Sequence, residues 1–578
     1  MKRPDSKHDI AASTRQPAID SIAGRIIYAA VALLLAVGLV GVSLLNGMAW
    51  NGEKPGEITY HERFAHYIDE DQYARLADAL FHGSLALDLP VSDELAQLEN
   101  PYDYGARYEA SDGGANPIFW DHAFYEGKYY CYFGVVPAVL VFAPYQLITG
   151  QWLDTSAAVV ALGVATVGAM ALLCYRIARR FFGSSVTLAT LIATLIFLFV
   201  GSNVVYLIFV SRFYSVPILS SLALTFLGLW FWLGARKEAQ DGSLAPKRDD
   251  ASGKEPSGLS SHADRTISTH MSPKRAGSAR STTRLSAWHL AAGSLCMALN
   301  LGCRPQFVLA CFLAIPLFWN EIRHERLLFS RRGAKATAAA LIPFALVFAP
   351  LLWYNWARFG SVLDFGSSYN LTGFDMTQYH QRLLLTPVLL FYYLLQPINP
   401  SFTFPFVEAT EMSRPVGWTP MEPMFGGYFW LVPMALLVFL LPAVRRELKE
   451  RGLWGPALCM LAFAAVVLIV DTRTAGVTQR YFGDFGWYIV LAAAFVMLAL
   501  QAQTDELVGR VRHLSGRIYL NVAPLGVRHR KAIAAFIACA LIFAFAVGAL
   551  SLFSPERYDS IAALNPTLWE AVTKVLGG

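Results

Sequence analysis

The stretch IIYAAVALLLAVGLVGVSLLNG, residues 26–47, decides the fold. It carries no charge, and as a helix it is long enough to cross the roughly 30 Å hydrocarbon core of a bilayer. A basic start precedes it, with Lys2, Arg3, Lys7, Arg15 and Arg25, and the run is longer than the apolar centre of a cleaved signal peptide. It reads as a retained signal anchor that leaves residues 1–25 in the cytoplasm.

Outward from this anchor, uncharged apolar runs recur near 156–175, 186–208, 214–234, 337–356, 428–444, 455–470, 485–501 and 533–553, with a coupled shorter pair at 286–302 and 306–319. They predict an all-α integral membrane protein, a polytopic bundle of about eleven transmembrane helices. Composition agrees: 55% of the 578 residues are hydrophobic and 15% charged, against about 25% charged in soluble chains. The net charge of +5 points to no nucleic-acid partner. No internal repeat supports an inverted-repeat transporter.

Two further apolar stretches, 133–149 and 384–398, are long enough to be considered as spans, and charge decides against them. With both lying in the membrane plane, the cytoplasmic segments hold 33 Lys and Arg against 15 Asp and Glu, and the outer segments hold 14 against 27. That is the asymmetry of the positive-inside rule. The N-terminus is then inside and the C-terminus outside. An outer loop at 48–155 carries in-plane helices, helices two to four occupy 156–234, and a polar cytoplasmic linker expected to be disordered fills 235–285. Helices five to seven occupy 286–356, a second large outer loop fills 357–427, helices eight to eleven occupy 428–553, and an outer tail covers 554–578.

Ionisable residues avoid the spans, where His289 alone interrupts a run. Ion-coupled carriers need such groups inside the membrane, so chemistry at the outer surface is favoured over transport. The seven cysteines show no CxxC spacing, which argues against a zinc site or a disulfide framework. His61 and His66 stand one residue too far apart for an HExxH zinc helix. Asn370-Leu371-Thr372 matches a glycosylation sequon, a frequent chance occurrence.

The first outer loop holds Ile68-Asp69-Glu70-Asp71-Gln72-Tyr73-Ala74-Arg75-Leu76-Ala77-Asp78-Ala79-Leu80-Phe81-His82-Gly83. Tyr73, Leu76, Ala77, Leu80 and Phe81 share one helical face, which predicts an amphipathic in-plane helix ending at Gly83. Its acidic opening has two readings. Asp69 caps the helix while Glu70 and Asp71 meet the positive end of its dipole, or one carboxylate serves as a general base towards a hydroxyl.

The order of first span, an outer DExxY opening an in-plane helix, a second in-plane apolar helix and a basic-ended span resembles the GT-C membrane glycosyltransferases, with the protein O-mannosyltransferases and lipid A aminoarabinose transferases as the nearest branches. The likeness lies in the first third of the chain and on Asp69, Glu70 and Tyr73. It implies inverting transfer of a sugar from a polyprenyl-phosphate donor to a cell-envelope acceptor, on the outer side of the cytoplasmic membrane. It also implies that the base is Asp69 first and Glu70 second, and that the 48–155 loop is catalytic. Some relatives use a divalent metal and others do not, and no other cofactor is implied. The double proline of the relatives' Lys-Pro-Pro-Leu or His-Pro-Pro-Leu motif is absent from the matching stretch 120–137.

A departing lipid phosphate needs cations aimed at its developing charge. Lys128, Arg212, Arg304, Arg358, Arg382, Arg414, Arg473 and Arg480 are the outer candidates, with Lys128, Arg304 and Arg480 ranked highest. Arg304 sits in a tight Gly-Cys-Arg-Pro turn between the two short runs. Tyr73, Trp120, Asp121, Tyr129 and Tyr130 are the candidate sugar or acceptor contacts, although Trp and Tyr also populate any membrane interface. Two rival functions remain: a flippase or exporter of a lipid-linked saccharide, and a non-catalytic membrane protein of the same fold.

Overall fold

The computed structural model describes residues 19–45, 55–62, 65–237, 284–379, 382–410, 424–474, 476–511, 525, 529–555 and 560–576. Most of the 235–285 linker, residues 1–18 and Arg414 lie outside them. The linker's two described ends pair as short antiparallel strands, Arg236–Lys237 with Arg284–Leu285.

The chain is a multi-pass helical membrane protein. Seven described helices are long and apolar enough to cross a bilayer: Ile22–Leu45, Thr155–Phe182, Ser215–Leu233, Ala334–Phe359, Trp454–Thr474, Gln479–Gln503 and Arg530–Ser551. Each overlaps an expected span. The other four expected spans take shorter or broken forms. The 186–208 run divides into Leu188–Gly201 and Val204–Phe209 at Asn203, whose φ is 58°. The coupled pair becomes Ala287–Leu299 and a tightly wound Pro305–Leu313, and the 428–444 run becomes Tyr428–Leu431 followed by Pro433–Val444. Within the last segment Pro442 removes a backbone donor from the helix interior. The stretches set in the membrane plane form Ala138–Thr149 and Leu383–Leu394. Each rises about 18 Å, well short of the hydrocarbon thickness.

Burial ranks the helices. In Gln479–Gln503, 94% of the most apolar window is buried, against 17% in the first and last long helices. A helix that is apolar all round and central buries every face, whereas Ile22–Leu45 and Arg530–Ser551 turn most of theirs outward. Thr155–Ile177 packs along Ser215–Leu233, and Ala287–Leu299 packs against both Ser215–Leu233 and Ala334–Phe359.

The purely α expectation is corrected in the 48–155 segment, where two short antiparallel hairpins place the site. Thr59–His61 pairs with His66–Ile68, and Ala123–Tyr125 pairs with Lys128–Tyr130. Each strand carries one or two aromatic residues, which favour extended backbone. The second hairpin turns at Glu126 (φ 49°) and Gly127 (φ 70°), left-handed values that suit a two-residue hairpin turn. Leu371 N–H donates to the His122 carbonyl oxygen and Asp121 N–H to that of Leu371, so the second large loop is stitched to the first. The expected amphipathic helix is Gln72–Phe81, followed by Gly83 at φ 73°. It is buried over Gln72, Tyr73, Ala74, Leu76, Ala77 and Ala79 and packs against Ala138–Phe142 and Ala143–Thr149.

Candidate active site

The acidic turn leaves strand His66–Ile68 and enters helix Gln72–Phe81, and its three carboxylates diverge. Asp71, not Asp69, occupies the N-cap position, and its side chain makes no capping bond. It accepts instead from Gly56 N–H at 2.8 Å and from Thr155 Oγ1 at 2.8 Å, tying the turn to the start of helix Thr155–Ile177. Burial raises the Asp71 carboxyl against the pull of these donors.

Asp69 is fully buried and saturated. Its Oδ1 accepts from Asp71 N–H at 3.1 Å and its Oδ2 from Arg75 Nε at 2.8 Å. His122 Nε2 stands 3.6 Å from the same Oδ2, while His122 Nδ1 donates to the Trp120 carbonyl at 2.9 Å. Burial pushes the Asp69 carboxyl up, but the neighbouring His122 ring and the Arg75 charge outweigh it and hold it below the usual carboxylate value.

Glu70 differs. Its side chain keeps 31% exposure and its Oε1 lies 3.6 Å from Arg212 Nε, while its Oε2 is buried with no hydrogen-bond partner. Burial pushes its carboxyl up, Arg212 pulls it down, Asp71 and Asp69 push it up again, and Phe213 N–H pulls it down, leaving it at about 7. A carboxyl poised there is half ionised at neutral pH, where a general base works best.

Arg212 leads into a cationic and aromatic cluster. Phe213 and Tyr214 follow it in sequence, with ring centroids 4.0 Å apart, and both approach Phe133, at 5.3 and 5.7 Å. The Arg480 guanidinium lies 4.0 Å over the Tyr214 ring and 5.2 Å from Tyr481. Arg480 is thus held among aromatic rings by cation–π contacts. Burial and the neighbouring Asp121 and Tyr481 raise the Tyr132 hydroxyl far above its ordinary value, while Arg480 pulls it down, so Tyr132 joins the cluster. Gly134 lies against the Gly302–Cys303 backbone, where a Cβ would collide with the Gly302 carbonyl oxygen.

Arg304 reaches the same region, 5.2 Å over Tyr481, but its fork is engaged. Nε and Nη2 donate to Asp484 Oδ1 and Oδ2 at 2.7 and 2.5 Å, a bidentate pair. Gln306 Nε2 bridges Asp484 and Asp471 at 3.3 and 3.4 Å. Asp471 and Asp484 are buried near helix ends. Both arms of the Arg304 guanidinium are thus engaged by Asp484.

Asp121 is buried at φ 55°, a strained value for a non-glycine residue. Its Oδ1 accepts from Asn370 Nδ2 at 2.9 Å. Burial raises its carboxyl while Asn370 and Arg480 lower it. Asn370 is itself buried in this bond, so the sequon asparagine is a wall of the site.

The other sequence candidates are placed as follows. Trp120 meets His66 and Tyr104 edge-on at 5.4 and 6.1 Å. Tyr129 packs on Phe119 and Phe124, and Tyr130 on Phe359. Tyr73 is fully buried against Phe142. Lys128 is exposed beside the turn of the second hairpin, outside the buried cluster. Arg358 is buried, donating to the Cys131 carbonyl and to Asn355. Arg212, one of eight sequence candidates and not among those ranked highest, is the cation closest to the unsatisfied carboxylate. Its signal was Ser211-Arg212-Phe213-Tyr214, a polar break between two apolar runs.

Among the described residues no three His, Cys, Asp or Glu side chains gather to hold a metal ion. Asp69 is spent on Arg75 and Asp71 on Gly56 and Thr155, so the donor set does not fit a divalent cation.

No protein-family model and no curated protein matches the sequence. Two solved structures resemble the fold. The apo oligosaccharyltransferase of Archaeoglobus fulgidus aligns over 90% of this chain and 56% of its own, with 12% identity and a TM-score of 0.41. AglB from Archaeoglobus fulgidus, in complex with an inhibitory peptide and a dolichol-phosphate, aligns over 92% of this chain and 56% of its own, with 13% identity and a TM-score of 0.41. The chain thus spans little more than half the length of these proteins, and a likeness this distant carries no argument.

Proposed function

We propose that this chain is a GT-C-type membrane glycosyltransferase. It transfers a sugar from a polyprenyl-phosphate donor to the hydroxyl of a cell-envelope acceptor, at the outer side of the cytoplasmic membrane, with Glu70 as general base. The observation that carries this reading is the contrast within one turn: Asp69 has every oxygen occupied, while Glu70 Oε2 is buried and unpartnered on a carboxyl raised to about 7.

In the reaction, the acceptor hydroxyl gives its proton to Glu70 as its oxygen bonds to the anomeric carbon. The bond from that carbon to the phosphate oxygen breaks, and the electron pair leaves with the polyprenyl phosphate. Attack opposite the leaving group inverts the configuration. Arg480, braced on Tyr214, meets the growing phosphate charge. Arg212 is shared: when the donor phosphate engages it, Glu70 loses its countercharge and becomes the stronger base.

The test is sugar transfer by protein in nanodiscs from a panel of radiolabelled polyprenyl-phosphate sugars to an envelope extract. The intact chain moves label to the acceptor, and Glu70→Gln does not, while retaining its folded state. Full transfer by folded Glu70→Gln excludes this base, and labelled lipid crossing a sealed bilayer without transfer selects the flippase.

A further inference from the structure

A cationic turn runs from helix Trp319–Arg323 to the long helix Ala334–Phe359. In the orientation implied by the charge asymmetry it faces the cytoplasm. Arg323, Arg326, Arg331, Arg332 and Lys335 are all exposed. The two acids beside them are already neutralised, because Arg236, at the foot of the 235–285 linker, stands 3.3 Å from Glu321 and 3.2 Å from Glu325. Among the described residues no carboxylate pairs with any of the five cations.

Other basic turns on that side are built differently. Arg446 pairs with Glu450 and Arg451 with Glu447, Arg179 pairs with Asp20, and Arg180 donates to the Leu233 carbonyl. A positive-inside bias places cations in every such turn. It does not explain why this one presents five of them without a countercharge.

The turn is also folded into a fixed shape around an exposed aromatic ring. Leu327 N–H donates to the Glu321 carbonyl at 2.7 Å, Phe329 N–H to Thr337 Oγ1 at 2.8 Å and Ser330 Oγ to the Arg326 carbonyl at 2.5 Å. Arg326 and Phe329 take φ values of 51° and 54°, left-handed and uncommon outside glycine. The chain thereby turns Leu328 inward, at 4% exposure, and Phe329 outward, at 61%. Trp319, exposed at the start of the preceding helix, is of the residue type that marks headgroup level.

We infer that this turn docks anionic phospholipid of the cytoplasmic leaflet, with Phe329 seated among the headgroups and Arg331 and Arg332 on lipid phosphates. Charge and ring together identify the occupant. A soluble phosphate would use the cations and leave the ring in water, and a zwitterionic lipid would bring a cation of its own against five others. An apolar anchor beside a polybasic patch is the pair of signals that holds a surface to an anionic membrane. The inference is independent of the transferase reading.

The experiment uses the full chain in nanodiscs of equal parts phosphatidylcholine and phosphatidylglycerol, with a trace of phosphatidylglycerol carrying a diazirine on its headgroup. Photolabel is expected on segment 323–335, displaced by excess phosphatidylglycerol and not by phosphatidylcholine or millimolar inorganic phosphate. Each cation removed near an anionic surface lowers binding about fivefold, so Arg331→Gln combined with Arg332→Gln should cut labelling of the segment at least about tenfold. Phe329→Ser should cut it several-fold. All three residues are exposed apart from any core, so the melting temperature in phosphatidylcholine nanodiscs should not change. Arg446→Gln removes a cation that is already paired and should leave labelling within about twofold. Full labelling of the double variant overturns the inference, as does an equal loss in Arg446→Gln, which would reduce the effect to net charge. Displacement by inorganic phosphate as effective as by phosphatidylglycerol overturns it in favour of a soluble anion.

Discussion

Two charged clusters stand near one another and are built on opposite principles. Around Arg304, a bidentate pair with Asp484 and a bridging Gln306 uses up both arms of the guanidinium. Around Glu70, one ion pair is long, at 3.6 Å, and one oxygen is unpartnered. Desolvating a charge costs several kcal/mol unless hydrogen bonds repay it. The saturated cluster offsets that cost and holds helices together, whereas the one around Glu70 leaves a buried oxygen without a partner. Asp69, one residue from Glu70, sides with the saturated kind through Arg75 and His122.

The largest effect separating the two is on stability. Asp484→Asn leaves Arg304 buried against a neutral amide and should cost about 3–5 kcal/mol in denaturant unfolding. Adding Arg304→Gln should cost less than the sum of the single changes. A cost near zero would break the contrast from its structural side.

Next comes Glu70→Gln, expected to lower kcat by about 10²–10⁴-fold while leaving the fold intact. Wild-type kcat/KM should rise with pH through an apparent value of about 7, as the base loses its proton. A flat profile from pH 5 to 9 would remove Glu70 from the chemistry.

A smaller effect is on stability against pH. Folded Glu70 keeps its proton up to about pH 7, whereas an unfolded glutamate releases it near its ordinary value of about 4.3. Between these limits the folded chain binds more protons, so stability falls as pH rises. A shift of this size corresponds to about 3 kcal/mol in a sealed site, and the 31% exposure of the side chain leaves about 1–2 kcal/mol. Glu70→Gln should therefore raise the melting temperature at pH 8 and leave it unchanged at pH 4.

The smallest effect is expected at Lys128. Exposed beside a hairpin turn, Lys128→Ala should shift stability by less than about 0.5 kcal/mol and donor KM by less than about twofold. Arg480→Gln should raise donor KM well beyond that, and equal effects would return Lys128 to the phosphate site.

Much of the site was written locally. The helix Gln72–Phe81 followed from five apolar residues on one face, and the acidic turn ahead of it was visible as three consecutive carboxylates. The hairpins were missed because three-residue strands leave almost no periodic signal. The burial of Trp120, Tyr129 and Tyr130 was not legible in the sequence, because aromatic residue types are shared by binding surfaces, membrane interfaces and cores.

The sequence by itself determined that the chain enters a membrane repeatedly, because span length and charge exclusion are properties of consecutive residues. It also determined that acids cluster just after the first span. Tertiary structure alone decided which cation meets Glu70, because Arg75 is six residues from Asp69 in the chain whereas Arg212 comes to Glu70 from far along it. Charge in a buried site depends on what stands within a few ångströms, and neighbours in space are not spelled by neighbours in sequence.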